Sequence, residues 1–283
     1  MQSLQHVTAL RALVAEWRSQ GQTIGFVPTM GSLHKGHRSL IVNARSHCDR
    51  VIVSIFVNPT QFSAGEDFSD YPRTIDSDQL ALIEDGVDAL FLPQVEDLYP
   101  CGVINTTTMV SIAGLNNELC GAHRDGHFDG VLTVVNKFLN IITPDRLFLG
   151  EKDFQQLYMV KQMVLELILP VEVVGVSTYR EADGLAMSSR NQYLTNTDRT
   201  KANGLYNTLC GIRHDLMKAN NDFSVLENQA LASLRTLGFV PDYIEVRRQQ
   251  DMAKAMPNDQ ELVVLGAAKL GKTRLIDNVT LSR

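Results

Sequence analysis

Apolar residues fall in short β-rich runs at Ile24–Val27, Val51–Val57, Ala89–Leu92, Arg146–Leu149 and Val171–Val176, with stretches of helical spacing between them. Residues 37–48 place Leu40, Ile41, Ala44 and Cys48 on one helix face. Residues 76–86 do the same with Leu80 and Ile83, with Val87 just beyond. The segments 131–142 and 154–169 are richly apolar, which predicts that both are well buried. Strand then helix, repeated, predicts a parallel sheet covered on both faces. Past Asn191 the texture changes. Polar amphipathic helices are expected over 197–218 and 224–237, followed by strands at Tyr243–Arg248, Leu262–Ala267 and Thr273–Asp277. The pattern predicts two domains: an α/β domain over 1–176 and a smaller α+β domain over 177–283.

Polar residues gather at the carboxyl ends of the predicted strands. The first run empties into Met30-Gly31-Ser32-Leu33-His34-Lys35-Gly36-His37, with two imidazoles and exposed backbone N–H groups expected at a helix start. Such a helix start suits an anion. The second ends at Asn58-Pro59-Thr60-Gln61-Phe62, and the fourth at Gly150-Glu151-Lys152-Asp153, followed by Gln155 and Gln156. The fifth leads to Arg180 and then Met187-Ser188-Ser189-Arg190. Ligands of open parallel sheets bind along this rim. Imidazoles, Lys152 and Arg190 suit phosphates, and Ser188 and Ser189 add donors on a stretch near Gly184 expected to be flexible. The neutral amides of Asn58, Gln61 and Gln156 suit a small hydroxylated acid better than a second polyanion. In-line phosphoryl or nucleotidyl transfer needs no protein nucleophile, and the chain offers none with a convincing base. His127 either lines this pocket or fills a loop.

The formal net charge of −6 speaks against a broad basic surface for nucleic acid. No apolar run is long enough to span a bilayer, and no cleavable signal pattern opens the chain. Cys48, Cys101, Cys120 and Cys210 form no C-x-x-C pair, so they read as thiols of a reducing compartment. A cytoplasmic enzyme fits these features.

Near the C-terminus, Gly266 to Thr273 satisfies the phosphate-loop pattern G-x-x-x-x-G-K-[ST]. A true phosphate loop opens a helix. Here Arg274 to Thr280 reads as a strand, so a hairpin turning near Gly271 is the expected structure.

Taken in order, Pro28-Thr-Met-Gly-x-Leu-His-x-Gly-His37, Ser54-Ile-Phe-Val-Asn-Pro-x-Gln-Phe62, Tyr71-Pro-Arg-Thr74 and Gly126-His-Phe-x-Gly-Val131 are motifs of one family. So are Gly150-Glu-Lys-Asp-Phe-Gln-Gln156, Ser188-Ser-Arg-Asn191 and Arg274-Leu-Ile-Asp-Asn278. Over nearly its whole length the chain resembles the pantothenate synthetases. His-x-Gly-His alone would indicate only the wider nucleotidylyltransferase and class I aminoacyl-tRNA synthetase group. The resemblance implies a Rossmann-like nucleotidylyltransferase domain with a smaller C-terminal lid, assembled as a homodimer. It also implies ATP-dependent ligation of pantoate and β-alanine through a pantoyl adenylate, within the coenzyme A pathway.

By the same resemblance, Met30, Gly31, Ser32, Leu33, His34, Lys35, Gly36 and His37 hold ATP, with His34 and His37 on its phosphates and His37 as proton donor. Gly150, Glu151, Lys152 and Asp153 contact the nucleotide. Tyr179 touches adenine, and Met187, Ser188, Ser189 and Arg190 close over the phosphates. Gln61 and Gln156 grip pantoate, Gln61 also lies near β-alanine, and Asn58 is grouped with them. Magnesium accompanies ATP, with Asp153 as its one candidate contact. Two departures stand out: Asp125 where the family usually has proline, expected to loosen the loop or weaken an anion contact from Arg124, and Met187 in place of a common leucine.

Overall fold

The computed structural model describes residues 1–63, 65–218 and 222–283. The chain packs as two units, Met1–Glu151 with Met159–Ser177, and Lys152–Tyr158 with Thr178–Arg283.

The first unit runs β1 (Gln2–Leu4), α1 (Val7–Ser19), β2 (Ile24–Thr29), α2 (Lys35–His47), β3 (Arg50–Ile55), α3 (Ile75–Glu84), β4 (Ala89–Phe91), α4 (Val95–Leu98), α5 (His127–Ile142) and β5 (Arg146–Gly150). Next come α6 (Phe154–Glu166), whose first residues pack with the second unit, and β6 (Glu172–Val176). Six strands form one parallel sheet in the order β1-β4-β3-β2-β5-β6. This confirms the α/β expectation. In β2 the residues Ile24 to Val27 are all buried, which is what a strand covered on both faces requires.

The order reverses beside β2. Successive strands β3 and β4 lie to one side of it, while β5 and β6 lie to the other. β2 pairs with β3 over the whole of Ile24–Thr29, but with β5 only at Gly25–Arg146 and Phe26–Leu147. The carboxyl ends of β2 and β5 are therefore not laddered together. A crevice of this kind at a topological switch is where α/β sheets take ligands.

Several expectations need correction. β1 and α1 have no counterpart in the sequence reading. On α3, Leu80 and Ile83 are 65% and 57% exposed, and the buried positions are Asp78 and Leu82. The helix is turned to bring a carboxylate inward, for a reason given below. Burial fails at the end of 154–169: α6 stops at Glu166, and Leu165, Leu167 and Ile168 are exposed. Residues 37–48 behave as expected, with Leu40, Ile41 and Ala44 in the core beside Val27, Val53 and Phe148.

The second unit continues with α7 (Asn196–Arg199), α8 (Gly204–Met217), α9 (Phe223–Thr236), β7 (Val240–Arg248), β8 (Glu261–Leu270) and β9 (Thr273–Ser282). The single helix expected over 197–218 is thus two. The three strands form an antiparallel sheet in sequence order. Leu205, Leu209, Ile212, Leu226 and Leu234 from its helices pack on Ile244, Val246, Leu262 and Val264. The phosphate-loop look-alike is a hairpin. β8 and β9 pair up to Leu270–Thr273, with Gly271 at φ +57° in the turn. No helix follows, so the pattern lacks the N-terminal dipole it would need.

Candidate active site

β2 ends at Thr29, and the chain turns through two consecutive left-handed residues, Gly31 (φ +83°) and Ser32 (φ +51°). Residues in this conformation present successive N–H groups to one side, forming an anion nest. Here the nest is already filled. Ser32 N–H and Leu33 N–H donate to the Asp78 carboxylate at 2.9 and 2.8 Å. Gly31 N–H donates to Thr29 Oγ1 at 3.2 Å. The N–H groups of Gly31, Ser32 and Leu33, expected to be exposed, are therefore engaged within the protein.

The imidazoles cap the helix that follows. His34 is the N-cap of α2, and its Nδ1 accepts from Gly36 N–H at 3.1 Å. His37 Nδ1 accepts from His34 N–H at 3.3 Å. A nitrogen that accepts an N–H must carry a lone pair, so both rings are neutral with the proton on Nε2. The rings stack with centroids 4.0 Å apart, an arrangement two imidazolium cations would resist. Two Nε2–H donors are thus fixed side by side at the carboxyl end of β2. Lys35 begins α2 and is exposed.

After β3 the chain makes a short 3-10 turn, Pro59–Gln61, preceded by Asn58. Asn58 is 1% exposed, and its hydrogen-bonding capacity is fully used. Nδ2 donates to Gln61 Oε1 (3.2 Å) and to Gly130 O (3.1 Å). Oδ1 accepts from Thr60 Oγ1 (3.0 Å) and Tyr99 OH (2.7 Å). Gln61 Nε2 donates to Met30 Sδ at 2.8 Å, tying this turn to the histidine loop. His127 lies buried in the first turn of α5, so it is a helix residue and not a loop filler. Arg124 donates to its Nε2 at 2.7 Å, so the proton is on Nδ1, which donates to Gln61 O at 2.7 Å. Arg124 in turn forms a two-pronged pair with Glu66, both bonds 2.7 Å. Burial pushes the Glu66 carboxyl up, but the Arg124 bonds outweigh it and hold the group below its ordinary range. Arg124 is thus anchored despite Asp125, whose carbonyl accepts from Ser63 Oγ at 2.9 Å.

Gly130 completes this wall. A Cβ there would stand 2.3 Å from Thr60 O and 2.7 Å from Gln61 N. Only glycine lets α5 back directly onto the turn that carries Gln61.

In the second unit, Gly150 having closed β5, Glu151–Asp153 make a 3-10 turn and Gln156 lies in the first turn of α6. Lys152 Nζ is 3.7 Å from Asp153 Oδ1, and Lys152 O accepts from Asn278 Nδ2 at 3.0 Å. Tyr179 to Met187 is a hairpin turning at Gly184 (φ +93°), closed by Met187 N–H to Tyr179 O at 3.0 Å. Arg180 forms a two-pronged pair with Asp277 at 2.6 and 2.9 Å and lies over the Tyr206 ring at 3.8 Å. Burial raises the Asp277 carboxyl despite that partner. Arg199 bonds Glu181 and Asp183, both at 2.6 Å. The stretch around Gly184 is thus a hairpin whose first arm is tied by three ion pairs. Ser188 Oγ accepts from Arg190 N–H at 3.3 Å and starts the 3-10 turn Ser189–Tyr193.

The first unit thus gathers His34, His37, Asn58 and Gln61, while Lys152, Asp153, Gln156, Tyr179 and Met187–Arg190 belong to the second. Sequence reasoning missed Asp78 and Tyr99, and it gave no role to Gly130, Asp277 and Asn278, although motifs contained those three. Asp78 lies four residues beyond Thr74, outside the motif that drew attention. Among the described residues, no group of three or more His, Cys, Asp or Glu side chains gathers to hold a metal ion. The half-exposed Asp153 carboxylate fits a magnesium ion held mainly by phosphate oxygens and water. Also among the described residues, no helix is long and apolar enough to cross a membrane.

A family model described as pantoate-beta-alanine ligase matches residues 2–280. A pantothenate synthetase of Alcanivorax borkumensis is 50% identical over 282 residues, covering 100% of this chain and 98% of its own. That of Pseudomonas putida KT2440 is 49% identical, covering 99% and 98%. The crystal structure of pantothenate synthetase from Thermus thermophilus superposes with a TM-score of 0.91 at 40% identity, covering 99% of each chain. The pantoate-beta-alanine ligase of Francisella tularensis, complexed with beta-gamma ATP and β-alanine, gives 0.80 at 37% identity over 99% of this chain and 97% of its own. With the histidine loop at the switch point of a parallel sheet and matches of this extent, the chain belongs to the pantoate–β-alanine ligase family.

Proposed function

We propose that this ligase works in two steps at the carboxyl end of β2. A pantoate carboxylate oxygen attacks the α-phosphorus of ATP. The new O–Pα bond forms as the Pα–O–Pβ bond breaks, and pyrophosphate leaves with the electron pair. The β-alanine amine then attacks the acyl carbon. A C–N bond forms, the C–O bond to AMP breaks, and the amine loses a proton. Adenylation is needed because a carboxylate is a poor electrophile, and the acyl phosphate carries a good leaving group.

The observation that carries this reading is the pair of stacked, neutral imidazoles whose Nδ1 atoms are occupied by backbone donors. In this reading the Nε2–H groups of His34 and His37 donate hydrogen bonds to phosphate oxygens, and the bond from His37 strengthens as charge builds on the leaving pyrophosphate. Lys152 and Arg190 add positive charge. Met30 to His37 and Gly150 to Asp153 hold the nucleotide, Tyr179 lies against adenine, and Met187 to Arg190 cover the phosphates. Gln61 and Gln156 hold pantoate. Asn58, its bonds all internal, acts by orienting Gln61. Magnesium, when bound with ATP, neutralises phosphate charge, and Asp153 is the residue to contact it. A homodimer in the cytoplasm, feeding coenzyme A synthesis, is part of the same reading.

The test is pyrophosphate release from ATP with pantoate, with and without β-alanine. Release with pantoate alone is expected, and His37→Ala should slow it by roughly two to three orders of magnitude, the scale for losing a donor to developing charge. A variant within a few-fold of the parent would remove His37 from that role.

A further inference from the structure

Asp78 is 3% exposed, yet its recorded partners are two backbone N–H groups and the Thr74 hydroxyl at 3.1 Å. Among the described residues no salt bridge neutralises it. Burying a carboxylate is costly unless its lone pairs are satisfied, and these three bonds do that. The fold makes an effort to place it. α3 exposes Leu80 and Ile83 so that Asp78 and Leu82 face inward. The Thr74 hydroxyl, one residue before α3, fixes the carboxylate from behind.

The atoms it holds belong to the histidine loop. Ser32 sits in the left-handed region that non-glycine residues disfavour. Its own N–H and that of Leu33 both end on Asp78, which offsets that cost. The fit is close: a Cβ on Gly31 would stand 3.2 Å from Asp78 Oδ2. Leu33 is followed directly by His34, whose ring and backbone organise the imidazole pair.

We propose that Asp78 is a positioning residue for adenylation: its carboxylate seats the left-handed turn at Gly31–Ser32 and thereby fixes the placement and tautomers of His34 and His37. The proposal rests on the ligase reading for its kinetic consequence, but its structural half stands apart from it.

The decisive variant is Asp78→Asn, which keeps the shape but sets an amide donor against a backbone donor. Two readouts are combined. Pantoate-dependent pyrophosphate release should fall about 10- to 100-fold in kcat, the effect of displacing a catalytic group by around 1 Å, with KM for β-alanine unmoved. Imidazole 15N spectra should show His34 and His37 as single Nε2–H tautomers in the parent and as tautomer mixtures in the variant. A general loss of stability would not mix tautomers in the folded population. Should Asp78→Asn fail to fold, Thr74→Val keeps the carboxylate, loses its orienting hydroxyl and carries the same two readouts at smaller amplitude. Parental kcat, or reduced kcat with both tautomers intact, overturns the proposal. If the parent releases no pyrophosphate with pantoate, the ligase reading fails instead, and the spectra still judge the seating of the loop.

Discussion

Gly130→Ala is a single-methyl perturbation with a consequence that can be worked from the coordinates. The added Cβ would stand 2.3 Å from Thr60 O, where ordinary contact begins at 3.4 Å, so the backbone must part by about 1 Å. Neither side yields easily. Gly130 O holds Asn58, His127 one turn earlier holds Gln61 O, and Asn58 is held by Tyr99. Overpacking of this kind costs about 1–3 kcal/mol. The displacement falls on the turn bearing Gln61, the group proposed to hold pantoate, and misplacing such a group by 1 Å can cost about 100-fold in rate. Pyrophosphate release measured across pantoate concentrations should therefore show a raised KM for pantoate together with a lowered kcat, and thermal unfolding should shift down. Gly211→Ala is the matched control. It lies in α8 with open space around its Cβ, so it should stabilise by roughly 0.5–1 kcal/mol and leave turnover alone. Gly130→Ala with parental pantoate kinetics would refute the argument that this close approach sets Gln61.

Lys272→Ala should leave ATP turnover unchanged in the same assay, because Lys272 stands exposed in a hairpin turn; a collapse in turnover would restore the phosphate-loop reading. Asn278→Ala removes the bond to Lys152 O and should lower kcat for pyrophosphate release while costing about 1 kcal/mol of stability, as measured by urea unfolding. Glu66 has a folded pKa below its ordinary value of 4.5, so it adds stability above that pH that is lost as pH falls through the folded value. Glu66→Gln should therefore show a shallower loss of stability than the parent below about pH 4.5, and equal slopes would remove that pair from the acid response.

The sequence by itself determined the alternation of strand and helix, because a strand buried on both faces must be a continuous apolar run, as Ile24 to Val27 is. It also marked which loops are candidates for chemistry, because polar residues gather at the carboxyl ends of these strands. The hairpin at Gly271 was legible because a β-rich segment follows where a phosphate loop requires a helix. Other features depended on contacts far apart in the chain. Periodicity placed Leu80 and Ile83 inward, but the demand of two loop N–H groups for an acceptor turned α3 toward Asp78, 46 residues from Ser32. Asn58 reads as a ligand by residue type, and only the tertiary structure shows its four internal partners, two of them 41 and 72 residues away. The imidazole tautomers, too, were decided by tertiary structure: residue names give two titratable rings, while the helix start that folds around them supplies the N–H groups that fix the proton on Nε2. Local pattern follows from the backbone's own periodicity, but satisfying a buried polar atom is a matter of whatever the fold brings within about 3 Å.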